Sequence, residues 1–196
     1  MENKLSGVSL DLQGAAFQTS AGTENVGLSL RNGRAMLINR GSAAVQTTTF
    51  ARFPGSVLTV GADATANLGG SRKVMLGDGS SVLADMVGGI VPWAGAQAFS
   101  TDEKFTDNNY FDPWLPVTYD VAKGFVAIPE SDLVANLATA KATDNVKVGS
   151  GITFSDDLSC NSLTFTTWQP NFDLNGHTLN LKLVLVLHRN QKPVIK

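Results

Sequence analysis

Cysteine and histidine are scarce in this chain, and their scarcity removes several kinds of chemistry. Cys160 is the only cysteine among 196 residues, so the sequence excludes an intrachain disulfide and a metal site built from cysteines. His177 stands at a predicted turn and His188 close to the last residues, and neither has an Asp or Glu at ligand spacing. We therefore predict that both histidines are exposed and that the chain holds no metal ion and no cofactor.

Sequence signatures of catalysis are also missing. No G-x-S-x-G nucleophile motif occurs in the chain. The pairs Gly69-Gly70 and Gly88-Gly89 are not followed in register by the Lys-Ser/Thr of a phosphate-binding loop. We predict no catalytic residues and no cofactor-binding residues, and a chain that is not an enzyme.

Charge is low. Charged residues make up 16% of the sequence, and the formal net charge is -2 at pH 7. A nucleic-acid partner requires a basic surface, so this balance argues against one. The hydrophobic fraction of 43% argues against disorder. Nineteen glycines, with many Ser, Thr, Asn and Ala, suit short strands joined by frequent turns.

Long apolar runs are absent. The longest, residues 183–187, is too short to cross a membrane. Lys4 is not followed by the apolar segment of a signal peptide. We predict no transmembrane segment and no signal peptide in these residues, and expect either a cytosolic protein or an internal piece of a longer exported one.

What the sequence does contain is a recurring pattern of short strands, clearest in residues 172–181. The apolar residues there alternate on either side of Asn175-Gly176: Phe172, Leu174, Leu179 and Leu181. Alternation predicts half-buried strands, and Asn-Gly readily adopts the positive φ of a tight turn. Looser copies occupy residues 8–17 and 28–38, about 20 residues apart, which is within the range of solenoid repeats.

This pattern predicts an all-β chain in which residues 1–182 form a single parallel β-helix, a solenoid whose stacked coils bury one side of each strand. In such a coil Leu174 and Leu181 point inward, while Asp173 and Asn180 face solvent. An antiparallel β-sandwich stays open, because Asn-Gly between alternating strands is also the usual hairpin signal. Strand length favours the solenoid, since three-residue strands are marginal in a hairpin.

Two regions interrupt the pattern. Residues 85–145 are predicted to form an irregular loop and short-helix excursion, and residues 183–196 an atypical C-terminal tail. Within the excursion, residues 129–140 are the best helix candidate, because Pro129 and acidic residues suit a helix start. Residues 99–119 form a long loop, which Pro113 and Pro116 keep out of a sheet interior.

The loop of residues 99–119 concentrates acidic and aromatic side chains. Its acids, with one just beyond it, are Asp102, Glu103, Asp107, Asp112 and Asp120, and its aromatic residues include Tyr110, Phe111, Trp114 and Tyr119. Two carboxylates could serve as general acid and base for glycan cleavage, clustered acids could hold calcium, and the rings could stack on sugars. The competing explanations are a solvated acidic surface and aromatic rings packed over the core.

Three segments, in order along the chain, resemble the proteins that carry autotransporter-associated β-strand repeats. The first segment holds Leu37-Ile-Asn-Arg-Gly-Ser42, Phe50-Ala-Arg-Phe-Pro-Gly-Ser-Val-Leu-Thr-Val60 and Asn67-Leu-Gly-Gly70. The second holds Val87-Gly-Gly-Ile-Val-Pro-Trp-Ala94, Tyr119-Asp120 and Gly124-Phe-Val126. The third holds Thr143-Asp-Asn-Val146, Asn161-Ser-Leu163 and Leu174-Asn-Gly-His-Thr-Leu-Asn-Leu181.

The resemblance implies a right-handed parallel β-helix passenger of a bacterial surface or secreted protein, located outside the cell. It carries no catalytic motif to transfer. The family's translocating β-barrel has no counterpart here, and residues 183–196 replace its glycine-rich continuation. We therefore expect a fragment of a longer exported protein, whose partners are neighbouring β-helix coils and possible surface glycans or other cells.

Taken together, these patterns predict a structural or adhesive β-helix segment without catalysis. The alternative is a glycan-binding or glycan-cleaving module on the same fold that uses the loop of residues 99–119. A phage-type spike, which would form trimers, is a third hypothesis.

Overall fold

The chain is mostly β-structure, which confirms the all-β prediction. The structure is a computed structural model, and it describes residues 9–12, 16–19, 24–31, 33–41, 44–98, 115–166, 171–183, 186–188 and 194–195. The described sheets are short, and most neighbouring strands within them are parallel. We treat them as an N-terminal group, strands β1 to β10, and a C-terminal group, strands β11 to β18.

The N-terminal group contains two sheets. Its strands are β1 (Ser9–Leu12), β2 (Ala16–Thr19), β3 (Glu24–Leu30), β4 (Gly33–Asn39), β5 (Val45–Arg52), β6 (Ser56–Ala62), β7 (Val74–Met75), β8 (Ala94–Ala98), β9 (Leu115–Asp120) and β10 (Gly124–Ala127). One sheet has the order β1-β3-β5-β7, and the other β10-β9-β8-β6-β4-β2. From β1 to β8, consecutive strands therefore alternate between the two sheets.

Parallel pairing among β1 to β6 joins segments about 20 residues apart, within the range of solenoid repeats. Leu10 lies opposite Leu28, and Phe17 lies opposite Leu37. Leu37 in turn lies opposite Val60. Apolar residues thus lie opposite apolar residues in the backbone register, and Leu28, Leu37 and Val60 are buried in one continuous core between the sheets.

The described parts of residues 85–145, which exclude residues 99–114, differ from the predicted irregular excursion. Strand β8 pairs in parallel with β6, and β9 and β10 extend the same sheet in antiparallel fashion. Pro116 is accommodated within β9, opposite Gly95, so the expectation that it stays out of a sheet is wrong. A tight turn makes the β9–β10 hairpin possible, because Asp120 Oδ1 accepts hydrogen bonds from the amides of Ala122 and Lys123 at 2.8 and 3.0 Å.

The predicted helix at residues 129–140 is also different in the structure. It is replaced by two 3-10 turns, Glu130–Asp132 and Leu137–Thr139, with extended backbone at the residues that flank each one. A third 3-10 turn covers Thr65–Asn67. The α-helix found among the described residues, α1 (Ser80–Ala84), has no sequence signal, because five residues are too few to show a helical period.

The C-terminal group contains three short parallel sheets. Its strands are β11 (Asn145–Val148), β12 (Ile152–Thr153), β13 (Leu158–Cys160), β14 (Ser162–Phe165), β15 (Asn171–Asp173), β16 (Leu179–Leu181), β17 (Val186–His188) and β18 (Val194–Ile195). The sheets are β11-β14-β17, β12-β15-β18 and β13-β16. Successive strands therefore visit three walls in turn, and each wall is built from strands of successive passes of the chain.

Residues 172–181 do not form a hairpin. Phe172 lies opposite Ile152 and Ile195, and Leu179 lies opposite Leu158. Strands β15 and β16 thus belong to different sheets, although a tight turn joins them. Asn175 and Gly176 have φ of 46° and 83°, and the amide of His177 donates to the carbonyl of Leu174 at 2.7 Å. This pairing disagrees with the antiparallel alternative for this stretch.

The tail of residues 183–196 contributes two strands to these sheets. Strand β17 pairs in parallel with β14, and β18 pairs in parallel with β15. The sequence showed no coil pattern there because its apolar residues do not alternate regularly. The backbones of β17 and β18 nevertheless pair in register with β14 and β15.

A buried polar contact joins the two groups of strands. Asn161 Nδ2 donates to the carbonyl of Val87 at 3.3 Å and to Asn145 Oδ1 at 2.7 Å. Gly88, at φ 56°, lies so close to Asn161 that a Cβ there would stand 2.5 Å from the same nitrogen. Beside this contact, Ile90 packs with Leu183. The junction is therefore fixed by side-chain amides and by apolar packing.

Candidate functional site

An apolar groove of about 410 Å³ opens in the C-terminal group. All three walls contribute to its lining, which is Leu163, Phe165, Phe172, Leu174, His177, Thr178, Leu179 and Leu181. Most pockets that take an organic ligand or an apolar segment are concave and largely apolar, with a few polar groups. The groove meets that description, and we treat it as the candidate site.

The walls of the groove are positioned by like-with-like stacking. Leu163 on β14 lies opposite Val146, and Leu179 on β16 lies opposite Leu158. Because parallel strands in register keep alternate side chains on one face, each pass of the chain presents its apolar residues at the same places. Phe165 and Phe172 meet edge to face, with ring centroids 5.2 Å apart. This contact fixes the corner between two of the walls.

The two ends of the C-terminal group are closed to different degrees. At the first end, the 3-10 turn Leu137–Thr139 packs over β11 and β13, and Leu137 is only 1% exposed. At the other end, β17 and β18 continue two of the walls. Among the described strands, none continues the third wall beyond β16. The groove lies at this end.

The polar rim of the groove comes from the turn before β16. The Nδ1 atom of His177 lies 3.7 Å from Asp157 Oδ1, and the side chain is 34% exposed. The amide of Thr178 donates to the same oxygen at 2.7 Å. The prediction of an exposed His177 is therefore only partly right, because sequence spacing could not show that the previous pass places an acid beside it. His188 belongs to β17, and its side chain lies outside the described residues.

The turn itself is tied to the previous pass. Asn175 Nδ2 donates to the carbonyl of Phe154 at 3.2 Å. Asp173 Oδ1 accepts from the amide of Asn175 at 3.0 Å. The positive φ of Asn175 is one of the few that a non-glycine residue adopts readily. The Asn-Gly pair therefore redirects the chain from one wall to the next and anchors it there.

The loop predicted at residues 99–119 falls mostly outside the described residues, which resume at Leu115. Tyr119 and Asp120 can be judged, and both have internal roles. Tyr119 is 5% exposed, and its hydroxyl oxygen accepts a hydrogen bond from the amide of Leu76 at 2.9 Å. It packs edge to face on Phe125 at 5.0 Å. Core packing is confirmed for Tyr119, and sugar stacking by this ring is wrong.

Asp63 and Asp78 are carboxylates whose pKa lies below its usual value, so hydrogen bonding favours their ionised form. Hydrogen bonds from Ser80, from its hydroxyl and its amide, lower the pKa of Asp78. A hydrogen bond from Asn67 and the nearby Arg72 lower the pKa of Asp63 against a smaller opposing effect of burial. Both groups are suited to accept hydrogen bonds in turns. A carboxyl group that acts as a general acid at neutral pH needs a raised pKa, which is the opposite of the shift seen here.

Cys160 lies in the core of the C-terminal group, among the residues that also support the groove. Burial and the nearby Asp144 raise the pKa of its thiol to about 11. A thiol of this kind is protonated at neutral pH and unreactive. Within the described ranges, no cluster of three His, Cys, Asp or Glu side chains could hold a metal ion.

The sequence pattern predicts residues of two walls of the groove, those formed by β15 and β16, and misses the third, formed by β14. Phe172, Leu174, Leu179 and Leu181 were identified from their alternation. Leu163 and Phe165 were read only as strand residues, because nothing in a single sequence shows which strands surround a common interior. Val146, Leu163 and Val186 are partners in one sheet, but the intervals between them are 17 and 23 residues, so no constant spacing in the sequence marks them.

Comparison with known proteins gives no match to this chain. No family model, no curated protein and no solved structure is similar to it. As a separate finding, none of the described helices is long and apolar enough to cross a membrane.

Proposed function

We propose that this chain is a structural or adhesive segment of a right-handed parallel β-helix, of the kind found in exported bacterial surface proteins, and that it carries out no catalysis. The family suggested by the sequence resemblance, the autotransporter-associated β-strand repeat proteins, has this architecture. Its role would be to project outside the cell and to stack on further coils.

The supporting observation is the parallel pairing of like with like in the C-terminal group. Ile152, Phe172 and Ile195 follow one another across one sheet. Leu158 and Leu179 do so across another. Stacked passes of this kind bury an apolar interior that one pass could not bury alone, which is the principle of solenoid proteins. Such a rod is suited to spacing and display.

The charged groups described in the structure favour scaffolding over catalysis. Asp63, Asp78 and Asp120 each accept hydrogen bonds that close local turns. The apolar groove holds no carboxylate among its lining residues, whereas glycan cleavage needs two of them. Glycan binding or cleavage by the loop of residues 99–119 remains the alternative hypothesis.

Engineered disulfides test the parallel arrangement. Ser159 and Asn180 are neighbours in the parallel register of β13 and β16, and adjacent strands bring Cα atoms within disulfide range. In a Cys160→Ala background, the pair Ser159→Cys and Asn180→Cys should oxidise readily to an intrachain disulfide. The readout is loss of free thiol together with a shift on non-reducing gels.

The matched control is the pair Asn171→Cys and Asn180→Cys, which would be cross-strand neighbours if residues 172–181 formed a hairpin. This pair should stay reduced, because β15 and β16 lie in different sheets. Oxidation of the control pair in place of the parallel pair would refute the β-helix.

Function is tested by surface retention. The purified chain should neither release sugar from any member of a polysaccharide panel nor be retained on one, whereas retention without release would support the glycan-binding alternative. Release of reducing sugar by the wild-type chain would refute the non-catalytic proposal. If such release is lost when Asp102 and Asp112 are changed to Asn, the glycan-cleaving alternative is supported.

A further inference from the structure

Residues 129–140, which we call the strap, cover the first end of the C-terminal group. Strand β11 is the outer strand of the sheet β11-β14-β17, and strands β1 to β10 lie in two other sheets. Among the described strands, none therefore pairs with the outer edge of β11. This edge is four residues long, whereas β12 and β13 have two and three residues. An open strand edge can pair with another chain, so the cover of this edge decides what β11 meets.

The strap covers the edge through the backbone of Val134. The amide of Val134 donates to the carbonyl of Asn145 at 2.8 Å, and its carbonyl accepts from the amide of Lys147 at 2.9 Å. These bonds form an isolated parallel bridge between Val134 and Val146. A 3-10 turn lies on either side of the bridge. One residue thus occupies the outward pairing groups of β11 without becoming part of a full strand.

A few further contacts hold the strap in place. Leu133 and Leu137 are 4% and 1% exposed, and Leu137 belongs to the core of the C-terminal group. Lys147 Nζ donates to the carbonyl of Glu130 at 2.7 Å. Most other residues of the strap are exposed. Release of the strap therefore requires the loss of two buried leucines and a few hydrogen bonds, and none of these contacts belongs to the pairing of β11 with β14.

The edge beneath the strap is self-complementary. In an antiparallel pair, two opposite residues exchange their amide and carbonyl groups in a pair of hydrogen bonds. If β11 of a second copy lies antiparallel to β11, with a two-fold axis at Val146, Asn145 of each copy lies opposite Lys147 of the other. The carbonyl of Asn145 then accepts from the amide of Lys147 in the second copy. These are the two groups that Val134 occupies when the strap is closed.

We infer that the strap is an autoinhibitory contact, which closes the β11 edge and whose release lets that edge pair with β11 of a second copy of the chain. A contact of this kind uses the same surface on both copies, so it stops at a dimer. The inference stands on the contacts between the strap and β11, and it does not depend on the structural or adhesive role proposed above.

Adjacent residues of one 3-10 turn provide matched variants. Leu137→Asp places a charge at the buried anchor of the strap, and Ala138→Asp places the same charge at an exposed position beside it. If circular dichroism shows that Leu137→Asp is not folded, Val134→Pro replaces it, because proline has no amide to donate to Asn145. Lys147→Pro, added to either release variant, removes the outward amide of the edge itself, and proline is tolerated in edge strands.

Two measurements follow the release of the strap and the pairing of the edge. Hydrogen exchange of the Lys147 amide, measured by NMR in dilute samples, should be at least about tenfold faster in Leu137→Asp than in wild type, because the amide loses its partner Val134. Analytical ultracentrifugation should give dimerisation of Leu137→Asp that is at least about tenfold tighter in Kd than that of wild type or of Ala138→Asp. Addition of Lys147→Pro should return the Kd to that of wild type.

Unchanged exchange of the Lys147 amide in a folded release variant would show that the strap does not close the edge. Faster exchange without tighter dimerisation would show that β11 is not a pairing surface for a second copy. Dimerisation that survives Lys147→Pro, or that Ala138→Asp shows equally, would place the contact elsewhere. Each of these results overturns the inference. The β-helix itself is tested separately, by the Ser159–Asn180 disulfide.

Discussion

Gly124 is the position where the backbone of the β9–β10 hairpin presses most closely on a neighbouring strand. It has a φ of 76°, a value that side-chain-bearing residues rarely adopt. A Cβ at this position would overlap the carbonyl oxygen of Val74, and it would lie 2.8 Å from that carbonyl carbon and 3.0 Å from Met75 Cγ. The hairpin therefore packs against β7 only because residue 124 has no side chain.

Gly124→Ala should destabilise the fold through two separate effects. The left-handed backbone costs an alanine about 1–2 kcal/mol, and forcing a methyl group into a packed site costs about 1–3 kcal/mol more. We expect a total loss of about 2–5 kcal/mol in the free energy of unfolding. Gly89 supplies the matched control, because its φ is 78° and a Cβ there meets nothing within 4 Å.

The assay is urea unfolding followed by circular dichroism and by tryptophan fluorescence, to which Trp93 contributes from its contact with Phe125, the neighbour of Gly124. Gly89→Ala should lose only the backbone contribution, about 1–2 kcal/mol. A loss for Gly124→Ala no larger than that for Gly89→Ala would refute the close approach of β10 to β7. A large loss for both would place the cost in the backbone alone.

Three further predictions concern hydrogen bonding, thiol chemistry and pH. Tyr119→Phe removes the acceptor of the buried Leu76 amide and should lower the free energy of unfolding in urea by about 1–3 kcal/mol; an unchanged midpoint would contradict this. Because burial raises the pKa of Cys160 to about 11, its reaction with a disulfide reagent at neutral pH should be slower in the folded than in the unfolded chain by on the order of 100-fold or more, and equal rates would show that the core is open. The pKa of Asp78 is lowered from 3.8 by hydrogen bonds from Ser80, so its contribution is fully present above the unfolded pKa and is lost as the pH falls through the lower folded pKa. Thermal unfolding from neutral to strongly acidic pH should therefore show less loss of stability below pH 3.8 for Asp78→Asn than for wild type, and parallel curves would refute it.

The sequence allowed the strands to be predicted where a residue pattern is local. Phe172, Leu179 and Leu181 alternate, and they are half-buried or buried in the structure. The Asn175-Gly176 turn is predicted for the same reason, because Asn and Gly adopt positive φ more readily than other residues. Pairing is a different matter, since both a hairpin and a coil corner are compatible with one short alternating stretch.

Other parts of the fold depend on contacts that no local pattern shows. Strand β8 has the sequence Ala-Gly-Ala-Gln-Ala, which has little strand propensity, and its neighbours β6 and β9 determine its conformation. Pro116 signals a break in most sheets, yet it is tolerated opposite Gly95. The pairing of β17 with β14 was likewise hidden, because it depends on register with a pass of the chain that lies well before it.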